Sequence, residues 1–160
     1  MPHLGAGYNL ARWLTRNEHD AQDVVQEAYL RALRAFDGYR GGDARAWVLS
    51  IVRNTCYTWL HRRGALPAAT DDPAEVPDDP AAGPEANTIR RADAQLLRDA
   101  LQDLPLEFRE AVVLRELEGL SYKEISDIAG VPLGTVMSRL ARGRKQLQHL
   151  VLQRMGGSPG

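Results

Sequence analysis

The stretch SYKEISDIAGVPLGTVMSRLARGRKQL, Ser121 to Leu147, decides the fold. Ser121 and Glu124 make an S-x-x-E capping box that opens a helix over SYKEISDIA. Gly130 breaks that helix after about two turns. Pro132 marks the next start, and a longer helix is expected to run to about Leu150. Helix, glycine-containing turn and helix form the helix-turn-helix plan, in which the second helix lies in the major groove of DNA. Val136, Leu140, Leu147 and Val151 line one side of that helix and are expected to pack on Ile125, Ile128 and Leu117. The other side carries Thr135, Ser138, Arg139, Arg142 and Lys145. Thr135, Ser138 and Arg139 lie near the N-terminal end, where base edges are read, and Arg142 and Lys145 lie further along, where phosphates are met. Between Pro132 and Met155 there are five Lys and Arg and no acid, so the charge of this helix suits a polyanion.

Upstream, LEFREAVVLRELE (106–118) reads as a helix that follows Pro105, with Gly119 in the left-handed position after its end. IRRADAQLLRDALQDL (89–104) reads as the helix before it. The first 63 residues are helical by pattern and hold nine Arg and six acids. DAQDVVQEAYLRALRAF (20–36) places Ala21, Val24, Val25, Ala28, Tyr29, Ala32, Leu33 and Phe36 on one half-circle. Asp20, Asp23, Gln26, Glu27, Leu30, Arg31 and Arg34 occupy the other. An apolar Leu30 inside a charged rim suits either a docking anchor or a solvated face with one stray leucine.

After the glycine-rich loop DGYRGGD (37–43), ARAWVLSIVRNTCYTWLHRR (44–63) reads as a second long helix. Its stripe of Trp47, Val48, Ile51, Val52, Thr55 and Trp59 belongs to a core. Ser50, Arg53, Asn54, Tyr57 and His61 face the other way. Arginine interleaved with aromatic residues suits single-stranded nucleic acid, with Arg on phosphates and Tyr as a stacking surface. It equally suits an ordinary helix whose terminal Arg62 and Arg63 complement the macrodipole. Between the helical zones, GALPAATDDPAEVPDDPAAGPEANT (64–88) has five prolines, six acids and no base, a composition that reads as a flexible acidic linker.

The composition agrees with an all-α chain of two small helical domains: 44% apolar and only 6% aromatic residues, with few strand-favouring runs. The expected divisions are 1–63, the linker 64–88, a helix-turn-helix domain 89–155 and a frayed tail 156–160. The net charge of −1 hides two slightly basic blocks around the acidic linker. A single cysteine, Cys56, permits no disulfide framework, and no Cys/His spacing suggests a metal. No run approaches the ~20 apolar residues of a membrane span, and MPHLGAGYNL lacks the plan of a signal peptide, so a cytoplasmic protein is expected. Acids on one helix face, without a histidine partner or phosphate loop, do not suggest an enzyme. A lone helix-turn-helix usually dimerises, yet no dimerisation helix is evident.

Both helical zones match one family. The chain resembles a group 4, or extracytoplasmic-function (ECF), bacterial sigma factor. DAQDVVQEAYLRALRAF and AWVLSIVRNTCYTWLHRR look like its region 2, and LPLEFREAVVLRELEGLSYKEISDIAGVPLGTVMSRLARGRKQL looks like region 4. The resemblance implies a factor that binds core RNA polymerase and directs it to promoters, without cofactor or small-molecule substrate. Asp20, Asp23, Gln26, Glu27, Leu30 and Arg31 would sit on the clamp helices of the largest polymerase subunit, with the flap as a further polymerase contact. Arg40 in the loop, with Arg53, Asn54, Tyr57, Arg62 and Arg63, would read and open the −10 element. The helix carrying Thr135, Ser138, Arg139, Arg142 and Lys145 would enter the −35 element. An anti-sigma protein is a further expected partner. Only seven residues precede Tyr8, fewer than the family's usual first helix implies. The competing readings are a stand-alone regulator that binds palindromic DNA as a dimer, and a sigma-like decoy that titrates an anti-sigma protein.

Overall fold

The computed structural model describes residues 3–39, 41–64 and 94–156. The acidic linker, Arg40 and the tail after Gly156 therefore lie outside the described residues, apart from Gly64. Among the described residues the regular structure is entirely helical: α1 (Leu4–Thr15), α2 (Glu18–Ala35), α3 (Ala44–Arg62), α4 (Ala94–Gln102), α5 (Leu106–Val112), α6 (Tyr122–Ala129) and α7 (Leu133–Met155).

Local chemistry sets the helix ends. The Asn17 side chain accepts a hydrogen bond from the Asp20 N–H at 2.9 Å and starts α2 two residues earlier than the apolar pattern suggests. Asp43 does the same for α3, accepting from Arg45 and Ala46. Ser121 and Glu124 close the expected capping box on α6, and Gly130 ends that helix at φ 69°. The signals at Ser121, Glu124 and Gly130 were legible in the chain and set the helix-turn-helix, whereas the Asn17 and Asp43 caps were not read.

The expected continuous helix 106–118 is instead α5 followed by a π turn over Val113–Leu117. The Glu118 N–H reaches back to the Val113 carbonyl at 3.1 Å, and the Leu120 N–H to that of Leu114. The wider turn changes which side chains face inward. Leu114 and Leu120 are fully buried, whereas Leu117, expected to pack against the last helix, is 53% exposed. The other expected partners hold: Val136, Leu140, Val151, Ile125 and Ile128 are buried, and Leu147 packs beside them.

A second correction concerns α2. Ala21, Val24, Ala28 and Ala32 are buried, but Leu33 and Phe36, placed on the core face by periodicity, are 56% and 61% exposed. Helix α2 has 18 residues against the 12 of α1, so it is longer by roughly 9 Å. Phe36 instead leads into an aromatic chain through Tyr39 to Trp47, with ring centroids 6.1 and 5.0 Å apart.

Helices α1, α2 and α3 pack on one another, and α4, α5 and α6 pack on α7. The two groups also meet, α3 along α6 and α1 against α5. Leu10, Leu14, Leu49 and Val52 from the first group share one contiguous core with Leu104, Val113, Leu114 and Ile125 from the second. Each such side chain contributes about 1.5–3 kcal/mol by leaving water.

Gly143 lets α5 approach α7. It is buried, and a Cβ built there would stand 2.9 Å from Val112 Cγ2 and 3.3 Å from Phe108 Cβ. Sequence reading found no role for it, because a glycine inside a helix carries only a propensity cost. Gly143→Leu is expected to lower the unfolding free energy by about 1–3 kcal/mol through overpacking. Urea denaturation checks this, and an unchanged midpoint would mean that the two helices do not depend on this close approach.

Candidate nucleic-acid interface

The long helix α7 presents its polar stripe as its sequence requires, but not uniformly. Lys145 is exposed, and Thr135, Ser138 and Arg142 are half-buried. Arg139 sits at the flank of the stripe nearest α5, where its Nη2 meets Glu107 Oε2 at 2.6 Å. Arg144, which sequence reading did not single out, pairs with Glu116 at 2.7 Å, so acids of the α5 segment hold two of the basic residues of α7. Leu133 and Met137, one turn apart, are exposed on the same helix.

In α3, Arg53 and Tyr57 meet an acid from the other helical group. The sequence placed both on an open polar face. In the structure Arg53 is 16% exposed, and its Nε donates to Glu110 Oε2 at 2.7 Å. The Tyr57 hydroxyl donates to the other oxygen of Glu110 at 3.0 Å. The Arg53 guanidinium also lies 3.7 Å from the centre of the Tyr57 ring, a cation–π contact. Burial pushes the Tyr57 phenol well above its ordinary range, and the negative charge of Glu110 adds to the shift. For Arg53, burial works against its charge, but the charge and hydrogen bond of Glu110 outweigh it, and its pKa rises.

Asn54 is exposed and accepts from Arg53 Nη1 at 3.3 Å. Arg62 and Arg63 are exposed at the end of α3. Arg63 lies over the Trp59 ring and 3.7 Å from Asp20. The structure therefore gathers Arg53, Asn54 and Tyr57 into one cluster and leaves Arg62 and Arg63 two turns away. Arg40 falls outside the described residues.

On α2, Asp23 and Gln26 are exposed, and Glu27 pairs with Arg31 at 2.6 Å. Leu30 is 53% exposed within this rim. Leu33 and Phe36 extend the apolar patch beyond it. Sequence reading placed them on the apolar half-circle of α2.

Three further residues escaped sequence reading. Glu110 is 1% exposed and joins α5 to α3. Arg109 beside it is also buried, without a carboxylate partner. Its guanidinium donates to the carbonyls of Gln102, Leu104 and Leu14. Burial, then the positive charge of Arg16, brings its pKa down to about 10, which leaves it charged at neutral pH. Arg45, at the start of α3, donates to the Glu118 carbonyl and meets the Glu118 carboxylate at 3.2 Å.

Helix order and the capped helix-turn-helix define an all-helical chain of two packed helix groups, the second ending in a helix-turn-helix. The sequence model of Sigma-70 region 2 matches residues 1–65, and that of Sigma-70, region 4 matches residues 94–147. The ECF RNA polymerase sigma factor SigE of Mycolicibacterium smegmatis is 42% identical over 151 residues, which cover 91% of this chain but 57% of that protein. The ECF RNA polymerase sigma-E factor of Escherichia coli K12 is 37% identical over 141 residues, covering 82% of this chain and 74% of that protein. Among solved structures, the sigma factor RpoE of Bartonella quintana, in complex with the anti-sigma factor NepR, superposes with a TM-score of 0.71 at 28% identity, covering 94% of this chain and 92% of that one. The chain belongs to the ECF family of RNA polymerase sigma factors.

The interface also fixes the state of the one thiol. Cys56 is fully buried one residue from Tyr57. Burial pushes its pKa up, and the nearby charge of Glu110 reinforces the shift. The thiolate is the reactive form, so Cys56 in the native chain is expected to resist Ellman's reagent at mildly alkaline pH and to react fully once denaturant is added. Rapid labelling of the folded protein would show that α3 is uncovered on this side.

Proposed function

We propose that this chain is an alternative sigma factor that binds core RNA polymerase and directs initiation at promoters with a −10 and a −35 element. The observation that carries this reading is the presence, in order, of a region 2 unit and a region 4 unit ending in a basic recognition helix. The first unit would supply Arg53, Asn54 and Tyr57 for the opened −10 strand, with Arg40, Arg62 and Arg63 on the flanking phosphates. The second would place Thr135, Ser138 and Arg139 against the base edges of the −35 element, and Arg142 and Lys145 on its backbone. The reading includes no catalytic residue and no cofactor: the chemistry of RNA synthesis belongs to the polymerase.

The docking face for the polymerase clamp is Asp20, Asp23, Gln26, Glu27, Leu30 and Arg31, widened by the exposed Leu33 and Phe36. An apolar centre in a charged rim is the composition of an interface hot spot. The likeness to a sigma factor solved with its anti-sigma partner supports an inhibitor protein as a further partner. No described helix is long and apolar enough to cross a membrane, and a factor acting on polymerase and promoter DNA works in the cytoplasm.

In vitro transcription with core polymerase tests the reading. Discrete start sites are expected only when polymerase and this chain are both present. Palindromic DNA binding without polymerase would favour the dimeric regulator instead, and binding to an inhibitor protein with no transcripts would favour the decoy. Leu30→Asp is expected to weaken core polymerase binding by roughly tenfold, about 1.4 kcal/mol, and to leave the circular dichroism of the chain unchanged. Undiminished competition for polymerase by this variant would remove α2 from the docking surface.

A further inference from the structure

The two side chains best suited to hold single-stranded DNA are already occupied by the protein itself. Glu110 uses both carboxylate oxygens, one on Arg53 at 2.7 Å and one on Tyr57 at 3.0 Å. One turn earlier on α5, Glu107 meets Arg139 of the recognition helix at 2.6 Å. Positions three apart lie on one helix face, so a single face of α5 presents two acids to cations of both helical groups. The Glu118 contacts of Arg45 add a second tie across the groups.

We propose that Glu110 is an internal lock: its carboxylate stands where DNA would stand against Arg53 and Tyr57, and it ties α5 to α3 until it is displaced. This rests on the assignment of Arg53 and Tyr57 to DNA binding made above. A carboxylate offers Arg53 two acceptor oxygens and a negative charge, as a phosphate does. It also fixes the Tyr57 hydroxyl, while the Arg53 guanidinium covers one face of the ring needed for stacking. Glu110 is 1% exposed, so a phosphate takes its place beside Arg53 and Tyr57 only if α5 moves away from α3.

An ion pair is suited to such a contact. A buried pair contributes little net stability, because the attraction roughly balances the cost of removing both charges from water. When the units separate, Glu110 regains water and Arg53 gains phosphate. The exchange is between similar partners, whereas an all-apolar contact would have no competing ligand. Residues 64 and 94 are joined by the 29 residues from 65 to 93, a chain whose full extension is about 100 Å. The covalent connection therefore permits separation.

The test uses the full chain with two readouts. Spin labels on Gln22→Cys and Gln146→Cys, both at exposed positions of different groups, report the separation of the units, and the buried Cys56 stays unlabelled. A fluorescent 20-nucleotide single-stranded DNA of random sequence reports access to Arg53 and Tyr57. Glu110→Gln keeps the shape and removes the charge. It is expected to lengthen the label distance and to tighten DNA binding. If about a tenth of the wild-type molecules are open, full opening yields about a tenfold gain.

A closed distance distribution with unchanged DNA binding overturns the lock. Opening without any gain in DNA binding also overturns it, since Glu110 would then not be masking the readers. Should Glu110→Gln fail to fold, as judged by circular dichroism, Tyr57→Phe removes one of the two hydrogen bonds to Glu110 and is read by distance alone. A smaller outward shift supports the lock, and no shift overturns it. The distance measurement needs neither polymerase nor promoter. An opening variant that gains DNA binding but gives no transcripts with core polymerase would refute the sigma-factor reading while leaving the lock standing.

Discussion

A short helix buried on nearly every side constrains the whole molecule. Six of the seven residues of α5 are buried, and two of them, Arg109 and Glu110, are charged. A charge removed from water must be met inside the protein. Arg109 is met by backbone carbonyls from the turn before α5 and from the end of α1. Glu110 is met by Arg53 and Tyr57 of α3. These obligations tie three separate helices to one seven-residue segment. On its remaining side the helix needs Gly143, because α7 approaches too closely for any side chain to fit without displacement. The closed packing of the two units thus satisfies these charges while it buries apolar surface.

The same segment explains where sequence reading stopped. Capping boxes, terminal glycines and one-sided apolar stripes are local signals, and they located α6, α7 and the helix-turn-helix from the chain alone. Helix α2 was also legible, since only one face of it meets a core. Helix α5 has no polar face to mark, because Glu110 points into contacts with Arg53 and Tyr57, 57 and 53 positions away in sequence, and Glu107 into one with Arg139. Periodicity describes which residues avoid water in an average setting; it does not report that an arginine on one helix will meet a glutamate on another. The π turn after α5 and the exposure of Leu117 belong to the same class of miss. So do Leu33 and Phe36, which periodicity places on the apolar face and the fold leaves exposed.

The candidate interface was therefore readable as a list of residues but not as an arrangement. Arg53, Asn54 and Tyr57 do cluster, and Thr135, Ser138, Arg142 and Lys145 do share a stripe. What the chain alone did not reveal is that acids on one short helix face the basic members of both groups. Net charge conceals this too. Two basic blocks and an acidic connector sum to −1, but the compensation that matters for DNA is within the folded units, at Glu107, Glu110, Glu116 and Glu118.

This internal compensation bears on how two small units proposed to bind DNA would achieve useful affinity. Each alone buries little surface and makes few phosphate contacts. Joined through a common scaffold, the second contact becomes intramolecular and gains by effective concentration, provided that the scaffold holds both at the right separation. A closed chain cannot meet that condition, because its readers face its own carboxylates. On the sigma-factor reading, binding to polymerase would have two tasks, to hold the units apart and to supply the spacing. Since Glu110 and a phosphate are near-equivalent partners for Arg53, exchanging them contributes little to the balance. The cost of opening falls instead on the apolar contact of α3 with α6 and of α1 with α5. A docking face with an apolar centre at Leu30, Leu33 and Phe36 is the kind of surface whose burial offsets that loss.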